Sequence, residues 1–241
     1  MIKIGEIYKF LDEIAPFDTQ EAWDNSGLLI GSFDDEIERI YLALDIDSEF
    51  LQNAMPNSLI IAHHPLIFKG LKSLDFTRYP SNLINLMIKK NISLIAAHTN
   101  YDKAVLNEYF VSEVLGLKIT QKDEFLAYTD IDMSFDELVK FVKAKMNLEI
   151  LRCVRAKERV KRIAVCTGSG GDMINLVKAD AFLTGDLKYH QALEAKENLL
   201  NLIDIGHYES EAYFGASLAK YLQNFKIEVI ISNSKNPFTY Y

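Results

Sequence analysis

The sequence predicts an α/β protein, and two observations lead to that class. Short apolar runs alternate along the chain with longer segments whose apolar residues recur at helical spacing. Glycine-containing turns separate the two kinds of segment in both halves of the chain. A chain of 241 residues can form one large α/β unit or two lobes, and length alone leaves both open.

The predicted elements follow one another in a regular order. The first helix covers residues 2–14, where Ile4, Ile7 and Leu11 follow helical spacing and Pro16 ends the pattern. Further helices are predicted over 48–55 and 81–91, from Asp102 to Leu115, from the capping box at Ser134, and after His207. Residues 23–31 are predicted to form a turn that leads into a short strand, and further strands are predicted over 40–44, 58–62, 92–97, 162–166, 181–184, 199–205 and 227–231.

The domain prediction depends on one polar stretch. Residues 118–126 are polar and mixed, which favours a crossing between lobes. The basic cluster within 152–162 is interpreted as a hairpin, either as a solvated face or as a rim that attracts anions. The predicted parts are a first α/β lobe over 1–120, a second over 121–205, and a metal-ligand helix with the final strand over 206–241.

Composition and charge exclude several functional classes. The chain is 49% hydrophobic and 25% charged, as is typical of globular proteins, and its net charge of −8 argues against general nucleic-acid binding. Cys153 and Cys166 cannot build a disulfide framework or a thiolate metal cluster. No apolar run is long enough to span a bilayer, so we expect a cytoplasmic protein without membrane contact.

The histidines are the chain's most informative residues, because four of the five lie where apolar runs end. His63 and His64 follow Ser58–Ala62, His98 follows residues 92–97, and His207 follows the run that ends at Ile205. In α/β proteins the carboxyl ends of the strands hold ligands. Imidazole and carboxylate are ligands for zinc, manganese, iron or nickel, so the pattern predicts a metal site.

The spacing of these residues suggests how the ligands are arranged. His207 and Glu211 are four residues apart and share one face of a helix, and His98 and Asp102 have the same spacing. Pro65 favours an extended backbone at His64, and on an extended backbone the adjacent rings of His63 and His64 would point to opposite sides. Two cations could then take one imidazole each, with Asp102 between them; the alternative is one ligand and one buried, hydrogen-bonded histidine.

Several neighbouring residues have two interpretations. His98 could carry a proton or orient a ligand, and His190 could be a proton shuttle or a surface histidine on a helix. Glu209 competes with Glu211 as a ligand, although the spacing favours Glu211. The turn Gly168–Gly171 could bring backbone N–H groups to a phosphate or could be only a tight strand-to-helix turn.

Six motifs together resemble a known family. They are Trp23-Asp24-Asn25-Ser26-Gly27-Leu28, Ala62-His63-His64-Pro65, Ala97-His98-Thr99-Asn100-Tyr101-Asp102, Gly168-Ser169-Gly170-Gly171, Thr184-Gly185-Asp186 and Gly206-His207-Tyr208-Glu209-Ser210-Glu211. Their order is that of the NIF-three-like family, whose members are also called GTP cyclohydrolase 1 type 2 homologues. The similarity extends from residue 23 to residue 211.

The resemblance implies a fold, a cofactor and an assembly. It implies two α/β lobes with mixed sheets flanked by helices, and a dinuclear metal site in the cleft between them. The family's ligands fall on His63, His64, Asp102, His207 and Glu211, which would bind two divalent cations per chain. The resemblance also implies a homo-oligomer, often a hexameric ring.

The function expected from the resemblance is metal-dependent hydrolysis. Hydroxide would add at C8 of the purine of GTP, and the imidazole ring would open with loss of formate, with His98 or His190 as the catalytic proton carrier. Two alternatives remain open at this point. One is a non-catalytic metal-handling or regulatory protein that acts through protein partners, and the other is a metal-dependent phosphoester hydrolase.

Overall fold

The computed structural model describes residues 1–239, which form two compact units. The first unit combines residues 1–105 with the segment that begins at Phe214, and the second comprises Leu106–Tyr213. These bounds differ from the predicted boundaries at residues 120 and 205.

A five-stranded mixed sheet forms the centre of the first unit. Its strands lie in the order Glu228–Ile231, Arg39–Ala43, Ser58–Ala62, Ile92–Ala96 and Gly27–Ile30. The first four are parallel neighbours, and the fifth is antiparallel to its neighbour. Every residue of Ser58–Ala62 and Ile92–Ala96 is buried, as expected for parallel strands covered on both faces.

Helices pack beside this sheet. They are Ile4–Ile14, Ser48–Asn53, Ser81–Lys89 and Phe214–Leu222, with a 3₁₀ turn at Phe17–Thr19 and a small antiparallel pair formed by Ile2–Lys3 and Glu36–Ile37. The predicted first helix is confirmed, because Ile4, Ile7 and Leu11 are its buried residues. Burial of this apolar stripe, rather than intrinsic propensity, is what stabilises such a helix.

The second unit has a six-stranded mixed sheet. Its strands lie in the order Gln121–Asp123, Leu126–Ser134, Arg159–Val165, Ala181–Thr184, Asn201–Asp204 and Arg152–Val154. Its helices are Phe135–Met146, Tyr189–Glu197 and His207–Glu211, with a 3₁₀ helix at Gly171–Leu176. The capping box is present: Ser134 and Glu137 bond each other's backbone N–H groups. The α/β class with mixed sheets flanked by helices is therefore confirmed in both units.

The predicted hairpin within residues 152–162 is wrong. Arg152–Val154 pairs with Asn201–Asp204 at the sheet's edge, whereas Arg159–Val165 lies between Leu126–Ser134 and Ala181–Thr184. Charge alternation around a polar turn cannot distinguish two strands that pair with each other from two that pair with different partners.

The helix predicted after Asp102 begins earlier, at Thr99, and Asp102 lies within it. Two of its segments, Asp102–Leu106 and Phe110–Val114, are π-helical. Phe110 packs in the core of the second unit, which explains why the boundary between units falls inside the helix and not at residue 120.

The C-terminal part of the chain also returns to the first unit. Glu228–Ile231 pairs with Arg39–Ala43, so the final strand belongs to the first unit's sheet, while His207–Glu211 belongs to the second unit. Within residues 1–239, no helix combines the length and the apolar character needed to cross a lipid bilayer.

Candidate metal-ligand residues

His63 lies directly after the central strand Ser58–Ala62 of the first unit and is fully buried. Its Nδ1 is 2.9 Å from the carbonyl oxygen of Ala97, a contact that requires the proton on Nδ1. With that proton on Nδ1, the nitrogen left to bind a cation is Nε2, which is 3.4 Å from Oδ1 of Asp102. Thus the nitrogen that can bind a cation faces a buried carboxylate.

His64 is held in the same way, but by a side chain. Its Nδ1 is 2.8 Å from Oδ1 of Asp45, a residue that follows the neighbouring strand Arg39–Ala43. A carboxylate on Nδ1 fixes the orientation of an imidazole and makes Nε2 the nitrogen that would meet a metal.

The expectation that His63 and His64 point to opposite sides is wrong. The strand ends at Ala62 and the chain bends at both histidines, so the alternation of an extended strand does not continue through them. Their ring centroids are 5.1 Å apart, and His98 joins them with one nitrogen from each ring within 4.8 Å of the others. The bend therefore gathers three imidazoles at one end of the sheet.

His98 is fixed by the most extensive hydrogen-bond network of the site. Its Nδ1 is 2.8 Å from Oδ1 of Asp24, whose side chain is fully buried. The carboxylate also accepts bonds from the hydroxyls of Ser26 and Thr99, at 3.0 and 2.5 Å. Burial alone would raise the pKa of Asp24, but these hydrogen bonds outweigh burial and hold the pKa well below its ordinary value. Asp24 is therefore a buried anion that sets the orientation of His98.

This network gives a prediction about stability. Asp24→Asn should lower the free energy of unfolding at neutral pH by about 2–4 kcal/mol, because the amide cannot replace a buried carboxylate that accepts several bonds. A folded-state pKa below the unfolded value of about 3.9 contributes stability above that pH, which is lost as the pH falls towards the folded pKa. Urea unfolding at neutral pH and below about pH 4 should therefore show the gap between wild type and variant narrowing in acid.

The matched control for this prediction is Asp34→Asn. The side chain of Asp34 is 88% exposed, so its substitution should change stability by less than about 0.5 kcal/mol. Equal stability of the Asp24 and Asp34 variants would mean that the network around His98 does not contribute to folding.

His207 and Glu211 form the corresponding pair in the second unit. Both lie on the helix His207–Glu211, and His207 Nε2 is 3.0 Å from Glu211 Oε2. Nδ1 of His207 is 2.6 Å from Oδ2 of Asp186, which follows the strand Ala181–Thr184. The bond to Glu211 and the nearby Asp186 raise the pKa of His207 to about 9, against the opposing effect of burial.

The structure also separates Glu211 from Glu209. Glu211 is buried, whereas the carboxylate of Glu209 turns back towards Gly206. This arrangement favours Glu211 as the partner of His207, as the spacing of four residues suggested.

His190 lies apart from these groups. It is exposed near the start of the helix Tyr189–Glu197, where its ring contacts Tyr189 edge-on at 5.2 Å. Within residues 1–239, it is absent from the groups of side chains that could hold a metal ion. Its surroundings match the surface interpretation, and a role as proton shuttle stays a prediction.

The turn Gly168–Gly171 uses its backbone N–H groups within the protein. The N–H of Gly168 donates to Ser210 Oγ at 2.9 Å, and the N–H of Gly170 donates to Thr184 Oγ1 at 2.8 Å. These two groups, which a phosphate would need, are engaged by buried hydroxyls. The turn therefore matches the interpretation as a tight connection after a strand.

Several basic residues within 152–162 pair with acidic residues of the second unit. Arg152 pairs with Asp204, and Arg155 pairs with Asp136. Arg159 lies 2.7 Å from Asp132. Exposed pairs of this kind contribute little stability, but they match the solvated-face interpretation and not a rim for anions.

Three carboxylates that bond a histidine Nδ1 were not predicted: Asp24, Asp45 and Asp186. Asp45 and Asp186 do carry a signal, because each follows a strand next to one that ends in a histidine. Asp24 has no such sequence signal, because it looks like an ordinary turn-forming residue and is distant in sequence from His98, to which it bonds.

Comparisons with known proteins find similar chains over nearly the whole sequence. The family model described as Duf34/NIF3 (NGG1p interacting factor 3) matches residues 2–237. A Campylobacter jejuni protein named GTP cyclohydrolase 1 type 2 homolog is 58% identical over 241 residues, which is all of both chains. A Helicobacter pylori protein named GTP cyclohydrolase 1 type 2 is 41% identical over 98% of both chains.

A solved structure extends the similarity to three dimensions. The crystal structure of a hypothetical protein of Staphylococcus aureus covers 99% of both chains with a TM-score of 0.87 and 30% identity. The resemblance seen in the six motifs is thereby confirmed, and the chain belongs to the DUF34/NIF3 family.

Proposed function

We propose that this protein is a metal-dependent hydrolase that opens the imidazole ring of GTP, with two divalent cations bound by His63, His64, Asp102, His207 and Glu211. The observation that carries the proposal is the hydrogen bonding of the histidines. In His63, His64 and His207 an oxygen lies within 2.9 Å of Nδ1, which directs Nε2 towards a cation. Ordinary surface histidines have no need of such orientation.

The chemistry of the donor set fits divalent metals. Neutral imidazole and carboxylate suit zinc, iron, manganese or nickel, and they disfavour metals that require thiolate.

The reaction class follows from the names of the relatives together with this chemistry. The Helicobacter pylori relative is named GTP cyclohydrolase 1 type 2, so we propose GTP as the substrate here. Bound divalent cations would supply a Lewis acid and lower the pKa of water. One water would add at C8 and open the ring to a formamide, and a second would release formate, leaving a diaminopyrimidine.

We propose His98 as the proton carrier of this reaction. Asp24 holds its Nδ1, so its Nε2 is the nitrogen that can take a proton from water and return it to a ring nitrogen. His98 also lies against two of the proposed ligands, with ring centroids 5.2 Å from His63 and 5.5 Å from His64.

Formate release provides the test. Protein loaded with zinc, iron, manganese or nickel is incubated with GTP, and formate is measured against a His63→Ala variant. We expect release by the wild type and loss of release in the variant. Equal release by both would remove the hydrolase proposal, and metal binding without formate release would favour a metal-handling or regulatory protein.

The carboxylates behind the histidines give a second prediction. Asp45→Asn and Asp186→Asn should each weaken metal binding about 10–100-fold, because the amide can present an N–H to Nδ1 and so lose control of the ring. Competition with a chromophoric chelator measures the affinity, with Asp34→Asn as the control. Wild-type affinity in both variants would mean that these carboxylates do not orient the ligands.

The proposal also includes self-association. A homo-oligomer, with six subunits in a ring as the expected form, is supported by the family resemblance alone. Light scattering coupled to size-exclusion chromatography gives the number of subunits directly.

A further inference from the structure

Two exposed aromatic side chains lie beside the histidine cluster of the first unit. Trp23 is 57% exposed and Phe68 is 40% exposed. Their ring centroids are 5.8 Å apart. The centroid of the His98 ring is 6.1 Å from that of Trp23 and 6.2 Å from that of Phe68. One exposed apolar side chain is ordinary, but two that converge on a candidate catalytic imidazole require an explanation.

The backbone that carries these rings is fixed. Asn25 Nδ2 donates to the carbonyl oxygen of Ile67 at 2.6 Å, which ties the segment of Trp23 to that of Phe68. Leu66, two residues before Phe68, is buried in the core of the first unit. The exposed rings are thus presented by anchored segments, so their exposure does not come from a loose loop.

The ring geometry leaves room for a further aromatic group. Trp23 and Phe68 are tilted by 41° to each other and do not stack face to face. Each is close to perpendicular to His98, at 74° and 70°. Aromatic pairs gain most from offset-stacked or edge-to-face contact, and both exposed rings have surface left for it.

We propose that Trp23 and Phe68 form an aromatic platform that stacks against the planar heteroaromatic ring of the substrate and holds that ring beside His98. The inference deepens the proposed function and rests on it, because it assigns the recognition of the purine to these two side chains. Stacking depends on the flat face of the heteroaromatic ring and little on the substituents that the ring carries. The platform therefore selects for a purine ring over a ring-free phosphate compound.

The single tryptophan of the chain makes the platform directly observable. Metal-loaded protein is titrated with GTP, with guanosine and with inorganic tripolyphosphate, while indole fluorescence is recorded and corrected for nucleotide absorption. We expect saturable quenching by GTP and guanosine and none by tripolyphosphate. Equal quenching by tripolyphosphate would overturn the inference, because phosphate and not the ring would then be recognised.

Substitutions at Phe68 test whether a flat ring is required. Phe68→Ala and Phe68→Leu should raise the Kd for guanosine, measured from the quenching, about 5- to 150-fold. Phe68→Tyr should leave that Kd unchanged. Leucine retains apolar volume without a ring, so wild-type binding by the leucine variant would overturn the inference. A changed oligomeric state of Phe68→Ala would also overturn it, because the ring would then serve a subunit contact.

These results are independent of the proposed hydrolysis. Formate release with no quenching by guanosine would overturn the platform and leave the hydrolase intact. Quenching by guanosine in a protein that releases no formate would support the platform and remove the hydrolase.

Discussion

Replacing Asp102 by asparagine should remove at least one of the two proposed cations and lower formate release by about a hundredfold or more. Asp102 is 7% exposed, and its Oδ1 is 3.4 Å from His63 Nε2. Of the proposed ligands in the first unit it is the only anion, so it alone there can offset positive charge from two ions. Asparagine keeps the shape of the side chain but lacks that charge and has one oxygen fewer.

The measurement is elemental analysis of the purified variant together with the formate assay. Asp75→Asn makes the same chemical change at an exposed position that bonds Thr77, and it should retain metal and activity. Thermal unfolding of both variants separates loss of metal from loss of fold. A full complement of metal in the Asp102 variant would exclude this residue as a ligand.

The residues of the site that could be predicted are those that directly follow the ends of buried strands. His63, His64 and His207 follow buried apolar runs, and the carboxyl ends of parallel strands are where an α/β protein places its ligands. Helical spacing linked His207 to Glu211, and the structure shows that contact at 3.0 Å. These relations are local in sequence, so a pattern of a few residues contains them.

The relations that could not be predicted are distant in sequence or depend on exceptions to regular geometry. Asp24 meets His98 through folding of the whole first unit, and nothing at either residue indicates the other. The bend at His63 and His64 overrides the alternation that Pro65 suggested. The π-helical segment at Asp102 has no sequence signal, although such segments are frequent at functional sites.

Strand pairing accounts for the remaining error. The segments around Arg152 and Arg159 look like a hairpin because a short polar turn separates them, yet each pairs elsewhere. Residue type indicates that a segment is a strand, but which strand lies beside it is decided by how the two faces of the sheet are buried.

Gly168→Ala should reduce both stability and metal content, although it adds a single methyl group. Gly168 has φ of +65°, where an L-residue costs about 1–2 kcal/mol more than glycine. A Cβ there would overlap Oε1 of Glu211 and lie 2.9 Å from its Cδ. The backbone cannot easily yield, because the N–H of Gly168 is bonded to Ser210 and its carbonyl oxygen accepts from Gly185. The Glu211 carboxylate must therefore move away from His207.

Gly116→Ala separates the two effects of that substitution. Gly116 has φ of +70°, so it carries the same backbone cost, but its Cβ would meet only the flexible end of Lys145, at 3.2 Å. Both variants should lose about 1–2 kcal/mol of stability in urea unfolding, and the Gly168 variant should lose more because of the clash. Metal content should fall only for Gly168→Ala, by about tenfold or more in affinity. Equal metal binding by the two variants would show that the position of Glu211 does not matter to the cations, and Glu211 would then no longer be a ligand in this protein.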